Sequence, residues 1–111
     1  MADDLYCKVY AIGPATNVAM REVLTTVAGG TFELRTLETG SLIIDLIETA
    51  GGDAADFANW PFQLEIDAQP GVGRDDFIAA IRALLDGLRA RAVQAVPSCD
   101  FEDQLRRASC P

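Results

Sequence analysis

Phe62-Gln63-Leu64-Glu65-Ile66-Asp67 alternates without a break, with Phe62, Leu64 and Ile66 on one side and Gln63, Glu65 and Asp67 on the other. Successive side chains of a strand point to opposite faces, so the segment belongs to a sheet with one buried and one wet face. Such a sheet needs an apolar layer on one side only, and the chain supplies two helices for it. The stronger is predicted over Asp75 to Ala90, where Phe77, Ile78, Ile81, Leu84, Leu85 and Leu88 form one apolar face. Asp75 and Asp76 begin it and Arg89 and Arg91 end it, the charge order that a helix dipole favours. The other is predicted over Pro14 to Val27, where Met20, Val23, Leu24 and Val27 fall at i, i+3, i+4, i+7 before Gly29-Gly30.

The remaining strands follow from the same period. Leu5 to Ile12 carries Tyr6, Val9, Tyr10 and Ile12 and stops at Gly13-Pro14. Thr31 to Leu37 reads as one strand, Phe32 and Leu34 alternating with Glu33 and Arg35. Turn residues Glu38-Thr39-Gly40-Ser41 lead into Leu42 to Ile47, with Leu42, Ile44 and Leu46 on one face and Ile43, Asp45 and Ile47 on the other. Ala50 to Pro61 is the longest irregular segment, with Phe57 and Trp60 as its large anchors. Val93 to Cys99 is the last strand, and Pro97 inside it argues for an edge or a strand end. The expected order is β-α-β-β-β-α-β, an α+β sandwich in a single domain over residues 1–111. Each strand–helix–strand passage wants a right-handed crossover, which points to a ferredoxin-like arrangement with one extra strand. It has one mostly antiparallel sheet and both helices on one face.

Charge narrows the partners. From Thr36 to Gly73 there is no Lys or Arg, but there are seven acids: Glu38, Asp45, Glu48, Asp53, Asp56, Glu65 and Asp67. The whole chain has 17 acids against 9 bases, a net charge of −8. A local negative field selects cationic partners and repels polyanions, so neither nucleic acid nor an anionic membrane is expected as a partner. The plain alternative is that the acids serve only solubility. No apolar run has the length of a membrane span, and Met1-Ala2-Asp3-Asp4 lacks the basic and apolar regions of a signal peptide. The expected compartment is the cytoplasm, where Cys7, Cys99 and Cys110 suit thiols. Cys7 and Cys99 become neighbours if the first and last strands pair, although no disulfide is expected between them.

The inventory for catalysis is short. There is no histidine, which removes the commonest general base and the usual metal ligand. Cys99 precedes Asp100 and Glu102, and neighbouring carboxylates oppose thiolate formation. Gly71-Val72-Gly73 has the outline of a phosphate loop, yet no Lys-Ser/Thr follows and Asp75-Asp76 repels a phosphate. Glu65 and Asp67 lie two apart on one strand and share a face, but with no calcium-loop spacing around them. The expectation is therefore no enzyme, no cofactor and no metal. A small carboxylate-dependent enzyme or ligand-binding domain, with its cleft between the 50–61 loop and the tail, is the alternative. The outer sheet face mixes Ile43 and Ile47 with acids, an interface composition. The competing reading covers those two isoleucines with the 50–61 loop or the C-terminal tail.

Trp60-Pro61-Phe62-Gln63-Leu64-Glu65-Ile66-Asp67, then a long amphipathic helix, then Val96-Pro97-Ser98-Cys99-Asp100-Phe101-Glu102-Asp103-Gln104-Leu105, form one recognisable succession. It resembles small, acidic, single-domain bacterial immunity proteins that accompany polymorphic or contact-delivered toxins. The likeness covers the C-terminal half, and its most specific piece is the string Cys99 to Leu105. It implies a cationic toxin domain as partner, neutralised by occlusion of its active site without catalysis. The contacts expected are Asp45, Glu65, Asp67 and the tail acids Asp100, Glu102 and Asp103, with Trp60 as an exposed anchor for the partner; the alternative for Trp60 is to plug the same outer surface. A homodimer built by pairing sheet faces or edges is the remaining possibility.

Overall fold

The computed structural model describes residues 5–49 and 60–99. Strand β1 (Tyr6–Ile12) leads to helix α1 (Asn17–Ala28), then come β2 (Thr31–Glu33), β3 (Thr36–Glu38), β4 (Leu42–Glu48) and β5 (Phe62–Ala68). Helix α2 (Arg74–Ala90) and strand β6 (Gln94–Ser98) complete the fold. The six strands form one sheet in the order β2-β3-β4-β5-β1-β6, and every neighbouring pair is antiparallel. Strands β1 and β4 therefore run the same way with β5 between them, and β5 and β6 do so with β1 between them. Helix α2 joins β5 to β6 directly, whereas α1 leads from β1 into β2 and the chain reaches β4 only after β3.

Both helices lie on one face. Cys7, Val9, Ala11, Leu42, Ile44, Leu46, Phe62, Leu64 and Ile66 of the sheet join Met20 and Leu24 of α1 in one buried cluster. The α2 stripe Phe77, Ile78, Ile81, Leu84, Leu85 and Leu88 is buried in the same cluster, all six positions as the 3.6-residue period demands. Thr16 starts α1 by accepting a hydrogen bond from the Ala19 amide at 3.1 Å, so the helix begins three residues after Pro14. Gly29, at φ 80, ends it by donating its amide to the Thr25 carbonyl. The last turn of α2 is tied to β6, because an Arg89 guanidinium nitrogen donates to the Ala95 carbonyl at 2.9 Å. Gly87 lies where α2 meets α1, and a Cβ there would collide with Val27.

The predicted strand Thr31 to Leu37 is instead a tight hairpin, which gives six strands rather than five. Residues 34 and 35 make the turn, with Leu34 at φ 57 and 87% exposed, not alternating with Phe32. The core explains the break. In an unbroken strand Phe32 and Leu37 point to opposite faces, whereas the hairpin makes them register partners on the helix side. Leu37 is fully buried there and Phe32 packs against the cluster. Burial of two large side chains outweighs the cost of a left-handed leucine, about 1–2 kcal/mol. Gly30, at φ 86, precedes the hairpin where any Cβ would meet the Glu38 carbonyl oxygen.

The edge position expected for Pro97 is observed, since β6 ends the sheet beside β1. The turn at residues 38–41 also forms as its composition suggests, with Thr39 Oγ1 accepting from the amides of Ser41 and Leu42. Among the described residues, no helix is long and apolar enough to cross a membrane.

Candidate functional site

The face of the sheet opposite the helices brings together three of the sequence-derived contacts, Asp45, Glu65 and Asp67. Residues in antiparallel register share a face, so the pairings place side chains in rows across the strands. One row runs Glu33, Thr36, Asp45, Glu65, Lys8 and Ser98 from β2 to β6. The next runs Thr31, Glu38, Ile43, Asp67 and Tyr6. A third sets Ile47 beside Gln63, Tyr10 and Val96. Asp45, Glu65 and Asp67 are therefore one cluster, with β4 and β5 directly adjacent. Glu33 and Glu38, which the sequence reading did not select, extend it through the hairpin.

Two side-chain contacts fix the acids at the hairpin end. Thr36 Oγ1 donates to Asp45 Oδ1 at 2.6 Å, and Gln69 Nε2 donates to Glu38 Oε1 at 3.1 Å. Gln69 also donates to the Thr39 carbonyl at 3.0 Å, so it clamps the exit of β5 to the turn after β3. Ile43 lies between Glu38 and Asp67, and both Ile43 and Ile47 are half-buried. The resulting surface is an acidic block with an aliphatic strip inside it, spread over β2 to β5.

The block ends at β1. Lys8 stands directly across from Glu65, with its Nζ 5.9 Å from the Tyr10 ring centroid. The acid-only stretch of sequence thus meets a cation that comes from the far end of the chain. Tyr6, 38% exposed and paired with Asp67, feels the block: its phenol is raised above the ordinary 10.0, first by burial and then by the charges of Glu65 and Asp67.

Trp60 is elsewhere. It continues the inward row of Phe62, Leu64 and Ile66 and is 6% exposed, on the helix side of the sheet. A hollow of about 550 Å³ beside it is lined by Arg89, Val93, Gln94 and Ala95 among others, with no carboxylate among the described residues. The backbone around Trp60 is held by Thr49, whose Oγ1 donates to the Trp60 carbonyl at 3.0 Å. A tryptophan that is only 6% exposed is not presented as the exposed anchor expected of it, and it lies away from the outer face that it was the alternative to plug. Extending the parity of Phe62-Leu64-Ile66 by one step back was the available signal.

Asp100, Glu102 and Asp103 lie outside the described residues, as do the 50–59 segment and the tail on which the covered reading of Ile43 and Ile47 depends. A second hollow, between α1 and β2, contains Glu22 as the only acid among its described residues. Among the described residues no group of three or more His, Cys, Asp and Glu side chains gathers as a metal site would. Comparison with protein-family models, with curated proteins and with solved structures gives no match, so the reading of this face rests on its own geometry and charge.

Proposed function

We propose that this chain is a non-catalytic binding module that receives a cationic protein domain on the outer face of its sheet. The observation that carries the reading is the block of Glu33, Glu38, Asp45, Glu65 and Asp67 on four neighbouring strands, with Ile43 set inside it. Acids around an aliphatic strip suit a partner surface with basic residues around an apolar patch. Charge then steers encounter, and burial of the strip holds the complex. The resemblance to immunity proteins narrows that partner to a toxin domain. Nuclease active sites are positive because their substrate is a polyanion, so an acidic face is suited to occluding one. A cytoplasmic site of action, in a bacterial cell, belongs to the same reading.

The fold is consistent with a ferredoxin-like arrangement. The order β4-β5-β1-β6, with a helix in the connection across each split parallel pair, supports it, and the β2–β3 hairpin is the addition at one edge. That hairpin widens the outer face by two strands and brings two of the five acids.

The test is protection. The product of the reading frame immediately upstream is expressed alone and with this chain, and growth is followed. Co-expression should restore growth, and the two products should co-purify. Growth arrest that persists with this chain folded and abundant would overturn the proposal.

A further inference from the structure

Cys7 is the second residue of β1, and Cys99 follows the last residue of β6. The register Lys8 to Ser98 sets them opposite one another one step further along. Cys7 points to the covered face with Val9 and Ala11 and is fully buried, whereas Cys99 packs on the same cluster from a partly buried position. Both carry thiols. The Cys7 Sγ–H is directed at Cys99 Sγ, 2.9 Å away, and more weakly at the Lys8 carbonyl oxygen at 3.7 Å. Opposed residues of an antiparallel pair hold their Cα atoms about 4.5–5.5 Å apart, inside the range of about 4.4–6.8 Å that a disulfide bridges. Oxidation therefore asks for no rearrangement of the strands.

We propose that Cys7 and Cys99 are a redox pair, which a small oxidised disulfide of the glutathione class closes into a cross-strand bond between β1 and β6. Burial sets the order of events. The more accessible Cys99 reacts first, slowly because the carboxylates that follow it in sequence oppose its thiolate. As thiolate it attacks one sulfur of the small disulfide, forming a mixed disulfide and releasing one small thiolate. Cys7 then loses its proton and attacks Cys99 Sγ, and the second small thiolate leaves. Two protein thiols lose two electrons and two protons, and the small disulfide takes up both as it becomes two thiols. The bond would join positions 92 apart in sequence, so it removes much of the freedom of the unfolded chain. It would also fasten the last strand of the sheet to its neighbour at the strand's C-terminal end. A thiol reductant reverses it. None of this depends on the identity of a partner.

The experiment uses the full chain with Cys110→Ser, so that only the proposed pair can react. The folded protein is incubated with oxidised glutathione, quenched with acid, and examined by intact mass and peptide mapping. The expected product has lost two hydrogen atoms, contains a Cys7–Cys99 peptide pair, and melts at a higher temperature than the reduced protein. Adding Cys7→Ser should stop the reaction at a glutathione adduct on Cys99, and adding Cys99→Ser should leave Cys7 unreacted until denaturant is present. Two results would overturn the proposal: a stable adduct on Cys99 while Cys7 is still present, or a disulfide that forms only after unfolding.

Discussion

The two faces of this sheet are one residue apart along every strand, yet they answer to different demands. On the helix side Cys7, Val9, Ala11, Leu42, Ile44, Leu46, Phe62, Leu64 and Ile66 are each at most 3% exposed, and no polar or charged residue among those described is buried. On the opposite side Lys8, Ile43, Asp45, Ile47 and Glu65 stay half-buried, and Asp67 is exposed. The covered face has to fill volume without orphaning a polar atom, so its residues are uniform. The outer face has to remain compatible with water while presenting charge, so its residues are mixed. Stability and recognition are thus separated by the parity of the strand, and a substitution on one face should leave the property of the other untouched.

The sharpest way to break that separation is through α2. Ile81→Ala or Leu84→Ala removes a buried aliphatic and should cost about 2–5 kcal/mol, the usual large-to-small range. Domains of this size hold about 5–15 kcal/mol in total, so urea unfolding should show a clear fall in midpoint. Partner binding per folded molecule should not change. A stability loss below about 0.5 kcal/mol would mean the helix face is not packed as described, and a loss of affinity in the folded variant would mean the two faces are coupled.

A smaller effect is expected where the helices touch. Gly87→Ala improves helix propensity by about 1 kcal/mol, but the new Cβ meets Val27, and overpacking costs about 1–3 kcal/mol. The net result should be destabilisation, recovered when Val27→Ala is added, a coupling that a double-mutant cycle reads directly. Additive effects of the two changes would show that α1 and α2 do not approach as closely at this point.

How much of this was legible in the sequence divides along the same two faces. The covered face was readable because burial imposes a period: Phe62-Leu64-Ile66 and the six α2 positions fall as the pattern says. The hairpin was not, because its turn contains no Gly, Asn, Asp or Pro, and Leu34 takes a positive φ that local propensity argues against. Only the long-range demand that Phe32 and Leu37 share a face reveals it. The acids of the outer face were visible as a run without Lys or Arg. Lys8 beside Glu65 and Cys7 beside Cys99 were not assured, because each depends on which distant strand becomes a neighbour and in which register. Trp60 shows the reverse error, a large aromatic considered as a surface anchor although the parity of its own strand sends it inward.

The charge of the outer face is tested by reversal. Glu65→Lys with Asp67→Lys should leave the fold intact and slow association with a cationic partner by about tenfold at low salt, with the difference shrinking as salt rises. Lys8→Glu, which extends the block across β1, should act in the opposite direction. Asp3→Lys with Asp4→Lys, outside the acid-only stretch of the sequence, changes the net charge as much as the first pair. Equal slowing by both pairs, followed by stopped-flow mixing, would reduce the acidic block to a matter of net charge.

The smallest expected effect reports the field of that face without any partner. Tyr6 sits across from Asp67, and its phenol is raised above 10.0 by burial first and by Glu65 and Asp67 second. As pH climbs past about 10, the unfolded chain gives up this proton before the folded one does. The folded state then holds more protons than the unfolded state, so Tyr6's contribution to stability, complete below that range, is lost as pH rises through the folded value. Because the ring is partly exposed, solvent screening keeps the effect small. Following the Tyr6 ring resonances through an NMR titration separates it from Tyr10. Glu65→Gln with Asp67→Asn should lower the midpoint without returning it fully to the ordinary value, since burial remains. A midpoint unmoved by removing both charges would mean that water screens the acids even from the residue directly across the sheet, and a field too weak to reach Tyr6 would be too weak to steer a partner.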